Sequence, residues 1–241
     1  MLDSAVKMEP YLTFPVATPV YRRVVAILVA FDLLFIGLHA VLSTAAMAGW
    51  LGAVPEGLRI TQDHSLPEAF NYAKWAVVVT CLAATFRRTR LRLFASLATI
   101  VLIVLLDDAL MIHEQLGDRL ETMTGWDQSG ELVVFAGLAV ISLLILIPGL
   151  IDIPRAIRPQ AVRFIGVLAA LAVCSVLLDF AHALVGYSLG IQINRLAGLV
   201  EDGGEMLLGS VATAYAVAAW RGASVGGKSG PNPRVVGRPG L

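Results

Sequence analysis

Residues 24–47 read VVAILVAFDLLFIGLHAVLSTAAM, and the only ionisable side chains in that stretch are Asp32 and His39. A bilayer core of about 30 Å takes about 20 apolar residues of α-helix. The run is long enough to cross, so it reads as a membrane-spanning helix. A charged carboxylate held at the bilayer centre costs roughly 2.5–3.5 kcal/mol on insertion scales, so a helix that keeps one is retaining it for a reason.

Working outward, five further stretches read the same way: residues 71–86, 93–114, 132–151, 164–187 and 197–220, the second starting near Leu66 if the helix begins early. Of the 241 residues, 57% are hydrophobic and 15% charged, with a mean hydropathy of +0.77. That is more apolar surface than a water-soluble domain can hide, and the expected class is an all-α, polytopic membrane bundle of six transmembrane helices, residues 1–221, with residues 222–241 a disordered tail rich in Gly, Pro and Ser. Fourteen of the eighteen Lys and Arg fall in alternate connections: Lys7, Arg22 and Arg23; Arg87, Arg88, Arg90 and Arg92; Arg155, Arg158 and Arg163; Arg221, Lys228, Arg234 and Arg238. The positive-inside rule puts that side and both termini in the cytoplasm, and a bacterial inner (plasma) membrane is the expected location. The arginines flank spans and form no groove-sized patch, which argues against nucleic acid as a partner. Ala46-Met47-Ala48 imitates a signal-peptidase site, but the apolar run before it is too long for a signal peptide and contains Asp32 and His39. Cys81 and Cys174 read as small buried hydrophobes.

With this topology the in-span polar residues fall at one depth. His39, Asp107, Asp108, His113, Glu114, Asp179, His182, Glu201, Asp202 and Glu205 all belong to the outer half, and Asp32 alone to the inner. Helical periodicity sharpens the set. Asp32 and His39 share a face, as do Asp107 and Glu114 in a continuous third helix, while Asp179–His182 and Asp202–Glu205 are i, i+3 pairs. His113 falls off the Asp107–Glu114 stripe and ranks below His182. Eight in-span carboxylates against one lysine, Lys74 near an outer edge, call for protonated acids or a bound cation. Imidazole beside carboxylate suits a divalent transition metal such as zinc or iron. The expected ligands are His39, Asp107, Glu114, Asp179, His182 and Glu205, with Glu114 or Glu201 as general base, and Asp108, His113 and Asp202 as secondary candidates. The loop Gly49–Phe70 is expected to be an ordinary surface connection, with a short interfacial helix or a lid over Glu56–Leu66 as the alternative. Gly203-Gly204 is expected to bend the last span without breaking it.

Asp107-Asp108 followed by His113-Glu114, and the late stretch Val200-Glu201-Asp202-Gly203-Gly204-Glu205, resemble uncharacterised bacterial multi-pass membrane proteins with an acidic pair before His-Glu and a Glu-rich last helix. The histidine-and-acid set is also similar to that of the alkaline ceramidase and adiponectin receptor superfamily, which has seven spans and paired histidines on its last helix that this chain lacks. That resemblance shows only that such sites exist in helical bundles; the histidine-and-acid set itself leads to the expected function, a metal-dependent hydrolase acting on a lipid-like substrate. A proton- or cation-coupled transporter, with acids as relays, and a non-catalytic subunit of a membrane complex are the alternative expectations.

Overall fold

Thr18 opens the first helix by accepting a hydrogen bond from the Tyr21 N–H (3.2 Å) on its side chain, and Pro19 sets the first helical φ. The helix so begun, α1 (Pro19–Met47), buries only two residues, and they are Asp32 and His39. Ile27, Phe31, Leu33, Leu34 and Val41 are exposed instead. A helix that turns its hydrocarbon outward and its ionisable groups inward reverses the usual sense of an amphipathic face, which is compatible with a lipid surrounding.

The computed structural model describes residues 18–125, 130–151, 153–178 and 191–226, and among them every regular element is helical. After α1 come a single 3-10 turn (Glu56–Leu58), α2 (Leu66–Thr89), α3 (Arg92–Ala109), α4 (Ile112–Thr124), α5 (Gly130–Leu150), α6 (Arg158–Ala172) continued by a π-helical stretch (Val173–Leu178), and α7 (Ile191–Gly226). α2 starts at Leu66, the early start allowed above, because Ser65 accepts from the Glu68 N–H at 3.4 Å and Pro67 follows. α7 runs unbroken through Gly203-Gly204 and on to Gly226, into the segment read as tail; residues 227–241 lie outside the described part.

α1, α2, α5 and the α6 run to Val176 are long and apolar enough to cross a membrane; α3 and α4 pass the same test only as a pair bent by 65°, which makes four spans or five. The sixth expected span, α7, is 36 residues long but falls short in apolarity. Its position explains this. α7 packs against α1, α2 and α6, and Ala212, Ala214 and Ala216 are wholly buried in it, so protein rather than lipid surrounds its second half.

The third expected span is corrected by the structure. α3 ends at Ala109, Met111 adopts a left-handed φ of 51°, and α4 leaves in a new direction. Asp107 and Glu114 therefore do not lie on one continuous helix face. Beyond the bend, Ile112, Leu116 and Met123 are exposed while Gly117 is buried, the habit of a helix lying along an interface.

The core sits toward the arginine-bearing end, where Val78, Leu82, Leu93, Leu97, Val101, Phe164 and Tyr215 interlock. Ring contacts of Tyr215 with Tyr21 (5.7 Å) and Phe164 (5.9 Å) join α1, α6 and α7 there. Arg88 donates to the Trp220 carbonyl at 3.4 Å and to the Ser224 hydroxyl, tying α2 to α7 at the same end. The acid-bearing ends of α2, α3 and α7 meet at the other.

Candidate functional site: a buried ion pair beneath an acidic cluster

Lys74 lies two turns into α2, well inside the helix rather than at an outer edge. Its ammonium donates to Asp32 Oδ1 at 2.8 Å, to the Met206 carbonyl at 2.6 Å and to Ser210 Oγ at 3.3 Å. Ser210 in turn donates to Asp32 Oδ2 at 2.5 Å. Asp32 and Ser210 have no exposed surface and Lys74 has 2%. α1, α2 and α7 each supply one side chain, so three helices are joined by one neutral network. Both charges find partners for most of their hydrogen-bonding capacity, which is the condition under which a buried ion pair is tolerated. Asp32 is thirteen residues past Pro19, about 20 Å along α1 by the 1.5 Å rise.

The polar groups continue from this pair toward the acid-bearing end. Glu68, Asn71 and Lys74 recur every three residues on α2, on the side that meets α7. Asn71 is buried, and its Oδ1 has no hydrogen-bond donor. It lies against α7 where that helix has no side chain: a Cβ built on Gly209 would sit 2.9 Å from Asn71 Oδ1. Glu68 accepts from the Tyr72 hydroxyl and from the His64 N–H. On the opposite side of the pair, Thr213 Oγ1 donates to the Lys74 carbonyl (3.3 Å) and to the Gly209 carbonyl (2.7 Å). Past Thr213 the interior is closed by Val78 and Leu82.

Above the pair stands the acidic cluster. Asp108 is within electrostatic reach of Glu205, Glu68, His113 and Asp107. Asp202 is similarly placed toward Glu205, Glu201, Asp108 and Asp63. Cys174, on the π-helical stretch, is close enough to feel Glu205 and Glu201, and a Cβ built on Gly204 would lie 3.4 Å from its sulfur. Four chain segments thus bring carboxylates or their neighbours together: the loop before α2, the first turn of α2, the last turn of α3 and the acidic turns of α7.

A family model described as a domain of unknown function, DUF8692, matches residues 6–220. The chain belongs to that family. No curated protein and no solved structure matches it.

The bend after α3 redistributes the expected ligands within this family member. Asp107 turns inward, and its Oδ2 is 3.0 Å from His113 Nδ1. Asp107 Oδ1 is buried and has no partner. His113 Nε2 lies 3.9 Å from Glu114 Oε1, and the ring packs on Phe135 with centroids 4.8 Å apart. His113, ranked low by an uninterrupted helical period, is the histidine that a carboxylate orients, while Asp108 rather than Asp107 faces the cluster. His39 is engaged otherwise. Its Nδ1 accepts the Ile60 N–H at 3.2 Å, so the neutral ring carries its proton on Nε2 and offers no lone pair in this arrangement. Asp179 and His182 lie outside the described residues. Among the described residues no group of three or more His, Cys, Asp or Glu side chains is gathered closely enough to hold a metal ion.

Sequence reading missed the Asp32–Lys74 pairing because it placed Lys74 by distance from the span end and not by face. The signal was present. Lys74 is the single in-span lysine and Asp32 the single inner-half acid, and desolvation forces such a pair to seek each other.

Proposed function

We propose that this protein is a proton- or cation-coupled transporter of six spans, both termini cytoplasmic, in a bacterial inner membrane. One observation carries the reading: Asp32, wholly buried near mid-span, is bonded to Lys74 and Ser210 from two other helices, one to two turns below Glu205 on α7. The acidic cluster concentrates cations at the outer mouth. The unpaired Asn71 Oδ1 is a buried acceptor between that mouth and the pair, the kind of atom that a water or cation satisfies. A proton reaching Asp32 neutralises the carboxylate, abolishes its attraction for Lys74 and frees α1 from α2 and α7. Val78 and Leu82 form the seal that this release would open toward the arginine-bearing side. Polar groups run from the mouth through the pair to Thr213, as a relay path requires.

The test is flux in proteoliposomes, with a pH-sensitive dye inside and imposed gradients of H+, Na+, K+ and Mg2+. Wild-type protein is expected to dissipate at least one gradient tenfold faster than empty vesicles, and Asp32→Asn to be inactive. Wild-type protein that dissipates none of them overturns the reading.

A metal-dependent hydrolase for a lipid-like substrate is the second reading, favoured by the Asp107–His113 contact. A carboxylate on Nδ1 is the usual outer partner of a metal-ligating imidazole, and it leaves His113 Nε2 beside Glu114. Zinc or iron would be held there only once Asp108 and Glu205 closed on His113, since no three such side chains are gathered among the described residues, and Glu114 or Glu201 would take a proton from attacking water. Stoichiometric metal in purified protein, lost in His113→Ala, with ester or amide cleavage and no flux, would select this reading.

A further inference from the structure

The arginine-bearing end holds a cavity of about 220 Å³ that neither reading above uses. Its charged wall is the link between α2 and α3, where Arg90 and Arg92 stand on either side of Leu91. The opposite wall is Pro148 and Gly149 from the last turn of α5, with Ile153, Pro154 and Ile157 from the turn into α6. Gly149 makes the packing possible: a Cβ there would lie 2.8 Å from Ser96 Oγ and 3.1 Å from the Leu93 Cα.

The link is shaped to present its cations. Arg90 ends α2 in a left-handed conformation (φ 58°), a position that glycine ordinarily takes, and its N–H caps the Phe86 carbonyl at 2.7 Å. A side-chain-bearing residue at such a position is strained, and strain of this kind clusters at functional sites. Both Arg90 and Arg92 are exposed. Two helices begin on this cavity, α3 after Leu91 and α6 after Ile157, and neither has a side-chain cap. Their positive ends add to the two guanidinium groups. The remaining lining is apolar, and Leu150 and Ile151 next to it are exposed. Asp152 lies outside the described residues.

We propose that this cavity binds a phosphate-bearing anion, the headgroup of an anionic lipid in the leaflet on the arginine side. Arg90 and Arg92 engage the phosphate as paired donors. The acyl chains lie along Leu150 and Ile151. The same phosphate chemistry is offered by inorganic phosphate in solution, and the experiment separates the two sources. It also stands apart from the outer cluster, so its outcome is independent of the transport reading.

The experiment is native mass spectrometry and thermal shift on the full-length protein in neutral detergent. Short-chain phosphatidylglycerol, phosphatidylcholine and inorganic phosphate are the probes, at fixed ionic strength. Wild-type protein is expected to bind phosphatidylglycerol saturably and at least tenfold more tightly than phosphatidylcholine. Arg90→Gly/Arg92→Gln is expected to lose about thirty-fold, two cationic contacts at about 1 kcal/mol each. The glycine suits the left-handed backbone, so this variant should fold as well as wild type. Arg22→Gln/Arg23→Gln, which removes the same charge from the same end, should change affinity less than threefold. Binding of inorganic phosphate that the pocket variant loses, with no preference between the lipids, supports the phosphate site and overturns its assignment to a lipid. Equal phosphatidylglycerol binding in wild type and pocket variant, or an equal fall in both variants, overturns the site.

Discussion

Asp32 shows how one side chain is made affordable in lipid: two partners, both on other helices, occupy both carboxylate oxygens. Removing one partner of such a pair leaves the other charge buried and alone, at a cost of about 3–5 kcal/mol. Asp32→Leu and Lys74→Met are each expected to destabilise the protein by that amount. The double variant should recover most of it, read as the midpoint of denaturation in mixed micelles. A double variant no more stable than the worse single would mean that the two groups do not hold each other. His39 makes a smaller claim. His39→Phe removes the acceptor for the Ile60 N–H, a loss of about 1–3 kcal/mol, and should speed hydrogen exchange at Ile60. At this scale the sequence marked Asp32 as an ionisable group in an apolar run but left it, with Lys74, outside the expected site. It did not announce their partners, since pairing depends on rotation and depth, neither of which a single helix determines.

Two helices show how small departures from regularity set the larger geometry. Met111 takes a left-handed φ that costs a side-chain-bearing residue roughly 1–2 kcal/mol, and it turns α3 into α4. Met111→Gly is expected to leave stability unchanged or raise it by about 1 kcal/mol, whereas Met111→Ile should lower it and weaken the Asp107–His113 contact, seen as a shift of the His113 ring resonances. α5 is held differently. Only Gly130 and Gly149 are buried in it, one near each end. A Cβ on Gly130 would fall 2.2 Å from the Gly117 carbonyl oxygen, backbone that cannot move aside. Gly130→Ala should therefore cost about 1–3 kcal/mol and free α4 from α5, visible as faster proteolysis between residues 117 and 130. The 3.6-residue period carried the reading of α1 correctly, with Asp32 and His39 on one buried face. It failed across α3 and α4 because no glycine or proline marks the bend; a methionine in the left-handed region leaves no trace in a hydropathy pattern.

For the molecule as a whole, membrane character was legible and the count of crossings less so. α7 explains the difference. A helix surrounded by other helices no longer needs lipid-facing side chains, so alanine, serine and threonine replace leucine and its hydropathy falls below that of α1 or α5. The arginines nonetheless gather where chain order demands. Arg22 and Arg23 begin α1, Arg87 and Arg88 end α2, Arg92 begins α3, Arg158 begins α6 and Arg221 is near the end of α7. The contacts among Arg88, Trp220 and Ser224, and among Tyr21, Tyr215 and Phe164, bring those ends together independently of any charge rule. If this end faces the cytoplasm, the loop after α1 must face the opposite side. That can be read directly in a Cys81→Ala/Cys174→Ser background, carrying a single cysteine at Gly52 or at Arg155. Gly52 is exposed with nothing within 4 Å of a built Cβ, and Arg155 is exposed in the turn before α6. A membrane-impermeant maleimide should modify Gly52→Cys in intact cells and Arg155→Cys only after lysis. Modification of both in intact cells, or the reverse order, would mean that the arginines do not face the cytoplasm, and the acidic mouth would then draw its cations from inside.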